Sequence, residues 1–172
     1  EAGTCIRVIS QESSSACSLQ RFSCSTGSAP VTSINLISRD TEGTVWILTD
    51  SGLFSVSGND TVPRLMPGTT ERNRTGRAFF CLHEAGERLW FGTSGGTILV
   101  TGHAAELTEE IRLGISSDII SIRPLNQREL IILTSGDGFF IYSPVTGEKK
   151  QYDRSRYPVL PTNKMASVYV DR

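Results

Sequence analysis

The amino-acid sequence predicts an all-β chain assembled from a repeated four-stranded unit, and three observations predict it. Val45-Trp46-Ile47-Leu48-Thr49 recurs as Leu89-Trp90-Phe91-Gly92-Thr93 and as Leu130-Ile131-Ile132-Leu133-Thr134, with the closing threonines 44 and 41 residues apart. Each copy runs into a glycine-bearing turn: Asp50-Ser51-Gly52, Ser94-Gly95-Gly96 and Ser135-Gly136-Asp137-Gly138. Finally, no stretch sustains the 3.6-residue apolar period of a helix; Ala104 to Ile111 comes nearest and is too short.

The elements follow in order. After each turn lies a β-prone run: Leu53 to Val56, Thr97 to Val100 and Phe139 to Tyr142. Before each repeated segment lies another: Ser33 to Ser38, Ala78 to Leu82 and Ile119 to Ile122. A weaker fourth run closes each unit, at Thr61 to Met66, Glu109 to Leu113 and Lys149 to Tyr152. All are short, rich in Val, Ile, Phe, Trp and Thr, and bounded by Gly, Pro, Asn or Asp, which is how strands read. Four strands per ~40–45 residues, with glycine in the second turn, is the pattern of a β-propeller blade. A single four-stranded sheet has two faces to cover, and neighbouring copies cover them.

These boundaries give three full blades, at 31–69, 76–113 and 118–152. Gly3 to Ile9 matches Gly96 to Val100, so residues 1–29 read as the third and fourth strands of an earlier blade, with Leu19 to Cys24 as the fourth. Residues 163–172 read as the first strand of a further blade. The expected fold is therefore a propeller fragment with partial blades at each end. Its open faces and edges would favour pairing with a second copy as a homodimer, or leave the fragment unstable.

Bulk properties exclude little. The 172 residues carry 17 basic and 18 acidic side chains, for a formal charge of −1, which gives no footprint for nucleic acid. No apolar run reaches the ~18–20 residues that span a bilayer. Cys5, Cys17, Cys24 and Cys81 lack Cys-x-x-Cys spacing and only two histidines are present, so neither a metal site nor a cofactor is expected. Cys5 and Cys24 lie equidistant from the turn of the N-terminal strand pair and are disulfide candidates. Cys81, beside Phe79 and Phe80, reads as a buried free thiol.

The stretch from Val31 to Leu53, with Asp40, Gly43, Trp46, Thr49 and Gly52 in place, closely resembles the two-component regulator propeller repeat. Gly86, Trp90, Thr93 and Gly96 repeat much of that pattern. The third copy departs from it, with Ile131 in place of tryptophan and one extra residue before Phe139. The resemblance implies the periplasmic sensor region of a hybrid two-component system of gut bacteria. In that family two propellers precede a β-sandwich, a membrane helix, a histidine kinase and a DNA-binding output, and the ligands are breakdown products of complex polysaccharides. The implied partners are an oligosaccharide and the remaining blades and signalling domains of the receptor.

Asp40, Gly43 and Trp46 read as structural: the carboxylate accepts turn amides, the glycine takes positive φ, and the indole packs between blades with its N–H partnered. Gly52, Gly86, Trp90 and Gly96 are assigned the same kind of role. Catalysis finds no support. Glu109 and Glu110 are adjacent on a strand and so point to opposite faces, Asp118 and Asp153 lie in loops, and no nucleophile or metalloprotease motif occurs. The segment reads as a non-enzyme. A propeller hydrolase or lyase, with catalytic residues in other blades, and a protein-interaction propeller are the alternatives.

The binding candidates are basic. Arg72, Arg74 and Arg77 lie in the loop after one blade's last strand, and Arg154, Arg156 and Tyr157 in the corresponding loop two blades on. Guanidinium forks suit carboxylate or sulfate, and tyrosine offers a face for a sugar ring. The ligand these residues would suit is an oligosaccharide, with a uronate- or sulfate-bearing one as the acidic case; the alternative reading is a solvated arginine surface on a loop.

Overall fold

The computed structural model describes residues 5–13, 16–23, 31–58, 60, 62–67, 69, 77–104 and 106–171, the first two stretches as backbone. Contacts divide the chain into two compact units, Glu1–Ala78 and Phe79–Arg172.

The first unit opens with an antiparallel hairpin of β1 (Cys5–Ser13) and β2 (Ala16–Ser23), in which Cys5 pairs with Ser23 and Gln11 with Cys17. Cys24 and the cysteine side chains of this hairpin lie outside the described residues, as does the disulfide expected between Cys5 and Cys24. A four-stranded sheet follows: β3 (Ile34–Arg39), β4 (Val45–Thr49), β5 (Leu53–Val56) and β6 (Arg64–Leu65), paired in sequence order. Ile47, Phe54 and Leu65 lie side by side across it and form one apolar face with Val45 and Val56. Strand β6 is shorter than the expected run from Thr61 to Met66, because Pro63 has no N–H to give the ladder.

The second unit holds two further sheets of the same design. One comprises β7 (Phe79–Ala85), β8 (Arg88–Thr93), β9 (Thr97–Gly102) and β10 (Leu107–Arg112). The other comprises β11 (Ile119–Pro124), β12 (Leu130–Thr134), β13 (Phe139–Tyr142) and β14 (Lys149–Tyr152). The one stretch whose spacing came near to helical, Ala104 to Ile111, is instead taken up largely by β10.

Equivalence between the three sheets extends to their irregularities. Ile34 pairs with Thr49, Phe79 with Thr93 and Ile119 with Thr134, and in each case the register then slips by one residue. A bulge at one fixed place bends the first strand and raises the local twist. The threonine opposite it is fully buried and closes the following turn through its hydroxyl. Thr49 Oγ1 donates to the Gly52 carbonyl at 2.7 Å, Thr93 Oγ1 to Thr97 at 2.8 Å and Thr134 Oγ1 to Gly138 at 2.8 Å. A threonine at this place is thus both a strand former and a turn clamp.

Within the second unit the two sheets pack face to face. Cys81, Trp90, Ile98 and Val100 from the first sheet meet Ile122, Leu130, Ile132, Phe140 and Tyr142 from the second. The Trp90 and Tyr142 rings meet edge to face with centroids 6.1 Å apart. Gly92 sits where β8 approaches β11 most closely: a Cβ there would lie 2.4 Å from Cys81 Sγ and 2.8 Å from the Ile119 carbonyl. Lys149 Nζ also crosses between the sheets to the Arg112 carbonyl at 2.7 Å. Ile131, in the position of the tryptophans, is only half-buried.

Residues 164–171, within the segment expected to be the first strand of a further blade at 163–172, join no ladder among the described residues.

Cys81 is a free thiol, 8% exposed, and burial pushes its pKa up to about 12. Below pH 9, the ordinary thiol value, folded and unfolded chains both carry this proton. Between pH 9 and about 12 only the folded chain holds it, so unfolding releases a proton and stability falls as pH rises. A denaturation series across that range is expected to show this loss, and Cys81→Ala to flatten it. The native thiol is also expected to resist alkylation until denaturant is added.

Candidate functional site

Three loop features place the candidate residues. In the first sheet, Asp40 closes the β3–β4 turn. Its backbone N–H donates to the Thr44 carbonyl at 3.0 Å and its carbonyl accepts from Gly43 N at 3.1 Å. The residue is 6% exposed, and its carboxylate accepts twice more, from Thr44 N at 2.8 Å and from Trp46 Nε1 at 2.8 Å. Gly43 takes φ of 90°, as the turn requires. Gly86 and Gly96 also have positive φ, whereas Gly52 contributes its carbonyl to the threonine clamp. These contacts make the group a brace of the turn.

Trp90 departs from that pattern. It is 2% exposed and its indole Nε1 has no hydrogen-bond partner among the described residues. Ala85 stands in the β7–β8 sequence two residues beyond His83, where Asp40 stands two residues beyond Ser38.

The loop after β14 carries the second half of the predicted basic rim. Asp153 organises it: one carboxylate oxygen accepts from Ser155 N at 2.8 Å, from Arg156 N at 3.0 Å and from the Ser155 hydroxyl. These bonds, led by the Ser155 hydroxyl, hold its pKa below the usual carboxylate value. Arg156 is not a free fork, because its Nη1 donates to Asp153 Oδ2 at 2.9 Å and to Gln151 Oε1 at 2.7 Å. Its remaining N–H groups lie on a side chain that is 59% exposed. Arg154 is exposed, and its backbone N–H is held by Asn163 Oδ1 at 2.6 Å. Tyr157 stacks on Tyr152, which stacks on Phe139, both at 4.8 Å between centroids. The loop is thus a fixed platform carrying two exposed guanidinium groups and a tyrosine.

The other half of the rim is Arg72, Arg74 and Arg77. Arg72 and Arg74 lie outside the described residues, and Arg77 is half-buried in the first unit. Among the described residues the two adjacent glutamates of β10 do not act as a pair. On β10, Glu109 lies 3.9 Å from Arg88 and Glu110 lies 3.0 Å from Arg112, each tied to a separate arginine. Among the described residues no helix is long and apolar enough to cross a membrane.

No protein-family model and no curated protein matches the sequence. Solved structures do match in fold. One is the extracellular domain assigned to the hybrid two-component system BT4673 of B. thetaiotaomicron, with a TM-score of 0.62 and 22% identity over 78% of this chain and 17% of that one. The corresponding domain of BT3049 from the same organism gives 0.61 and 18% identity over 76% of this chain and 20% of that one. YCF48 from Cyanidioschyzon merolae gives 0.57 and 13% identity over 74% of this chain and 42% of that one. The chain therefore spans about a fifth of the length of the sensor domains it matches. It shares with them an all-β, propeller-like fold of repeated antiparallel four-stranded sheets.

Proposed function

We propose that the chain is a ligand-recognising propeller segment from the periplasmic part of a hybrid two-component system sensor, and that its ligand is an acidic oligosaccharide. One observation carries the sensor reading: two sensor extracellular domains share its fold at TM-scores of 0.61 and 0.62. The repeated Asp40–Trp46 and Gly86–Trp90 segments support the same assignment by their resemblance to the regulator propeller repeat. Catalysis has no constellation behind it, so capture and release is the chemistry proposed.

The ligand class follows from the loop after β14. Arg154 and Arg156 extend into solvent from a backbone fixed by Asp153, and Tyr157 is held by stacking. Loops on a rigid scaffold are where binding groups are usually presented. A uronate or sulfate group would take a bidentate contact from Arg154, whose side chain makes no bond among the described residues, and a sugar ring would cover Tyr157. Coupling to a kinase then requires the ligand to bind two packing states unequally.

Calorimetric titration with size-matched acidic and neutral oligosaccharides tests this. Acidic ligands are expected to bind and neutral ones not, with Arg154→Ala weakening binding about tenfold, or about 1.4 kcal/mol. Arg156→Ala is expected to cost more, because it also frees the loop. Equal binding of neutral and acidic glycans, or an Arg154→Ala variant with unchanged affinity, would refute the ligand class.

A further inference from the structure

The two tryptophans occupy one place in the repeat and differ in a single respect. Ser38 pairs with Trp46 and His83 with Trp90. Two residues beyond Ser38 stands Asp40, whose carboxylate accepts the Trp46 indole N–H at 2.8 Å. Two residues beyond His83 stands Ala85, a methyl group in the carboxylate's place. A buried indole N–H normally finds a partner, and leaving one unsatisfied carries a desolvation cost. Among the described residues Trp90 Nε1 has none, and neither has the neighbouring His83 Nε2, which is likewise shielded from solvent.

Both residues line a cavity of about 220 Å³ between the two sheets of the second unit. Trp90 and Leu130 are its buried walls, while Ala85, Arg88 and Arg128 are exposed at its mouth. Glu129 also lines it, but its carboxylate is engaged by the Asn126 side-chain amide at 2.7 Å. Burial lowers the pKa of His83, assisted by the charge of Arg123, and with a proton on Nε2 the ring donates to an acceptor in the cavity. The lining thus combines an unused indole donor, an unused imidazole nitrogen and two arginines beside an absent carboxylate.

We propose that this cavity is a binding site for a small carboxylate. The ligand's carboxylate takes the role under Trp90 that Asp40 plays under Trp46, accepting the indole N–H. His83 Nε2 is the second contact, and Arg128, together with Arg88 drawn from its 3.9 Å pairing with Glu109, covers the anion's charge at the mouth. The space suits a small organic acid or one uronate ring. The site lies at the β12–β13 ladder's Leu130 end, away from the Asp153 loop that follows Tyr152 at the other end, so it stands or falls independently of the arginine–tyrosine platform.

The test follows the indole N–H signals of the ¹⁵N-labelled chain, two in number because the sequence has two tryptophans. Trp90→Phe assigns the signal by removing it. Acetate and galacturonate are titrated against acetamide and galactose as neutral controls. A saturable downfield shift of the Trp90 signal with a carboxylate, and with neither neutral control, is expected, while the Trp46 signal stays in place. Stronger binding of galacturonate than acetate identifies a sugar acid as the ligand; the reverse order identifies a free organic acid. Ala85→Asp is expected to move the Trp90 signal downfield without ligand and to abolish the titration. Combining Arg88→Ala with Arg128→Ala should weaken binding at least tenfold. No shift with either carboxylate at ~10 mM, a concentration that reveals even millimolar sites, overturns the proposal, as does an Ala85→Asp variant that still titrates.

Discussion

Replacing Gly92 by valine is expected to destabilise the second unit by about 3 kcal/mol, the upper range for forcing methyl groups into a close-packed interior. In a chain of this size that corresponds to a fall in melting temperature of roughly 10 °C. The site has no spare volume. Even the first carbon added would lie 2.4 Å from Cys81 Sγ, 2.7 Å from Ile119 Cγ2 and 2.8 Å from the Ile119 carbonyl. The thiol can be removed, whereas the carbonyl belongs to the backbone of the facing sheet. Cys81→Ala should therefore recover part of the loss in a Gly92→Ala background and never all of it, a non-additivity that a double-mutant cycle reads directly. Urea midpoints of the four proteins give the answer. A Gly92→Val chain as stable as the parent would mean that β8 and β11 do not approach as described.

Removing the carboxylate of Asp40 is expected to be nearly as costly, for a different reason. Asp40→Ala strands two buried donors, Thr44 N and Trp46 Nε1, each held at 2.8 Å. Hydrogen bonds to a buried charge, and the desolvation left when one is lost, together put the cost at about 3 kcal/mol. Asp40→Asn keeps one acceptor but turns an amide N–H₂ toward the other donor, so about half of that loss is expected. Denaturant unfolding of the three proteins provides the comparison. An Asp40→Ala cost within ~0.5 kcal/mol, as for an ordinary surface substitution, would show that the carboxylate does not brace the turn.

The strands were legible where the chemistry of a buried sheet writes itself into the residues. Val45 to Thr49, Leu89 to Thr93 and Leu130 to Thr134 are apolar and β-branched because both of their faces are covered. The glycine-bearing turns that follow them stand out for the same local reasons. Edge strands were harder to bound: β6 and β10 are polar and largely exposed, so composition distinguishes them poorly from loops. The bulge after Ile34, Phe79 and Ile119 left no trace in the sequence, since Asn35, Phe80 and Ile120 share no chemistry. A bulge is a property of pairing, and pairing is not written on one strand.

The candidate sites divide in the same way. The arginines and tyrosine of the loop after β14 are visible as residue types, but the engagement of Arg156 by Asp153 depends on a backbone that places them three residues apart around one carboxylate. The loss of Trp90's acceptor was in principle readable as Ala85 opposite Asp40. It emerges only when Ser38 and His83 are aligned through their tryptophans, because the two turns differ in length by one residue. An unpaired indole is a feature of three-dimensional equivalence, seen against a copy of the same unit in which the pair is complete.

The account rests on three sheets sharing one register. Nuclear Overhauser contacts across the first strand pair of each sheet, in the labelled chain, test that register directly. Contacts linking Thr49 to Ile34, Thr93 to Phe79 and Thr134 to Ile119 are expected, each followed by the same one-residue slip. Finding Thr93 or Thr134 opposite a different residue, or helical contacts along either strand, would contradict the shared unit and everything inferred from its tryptophans.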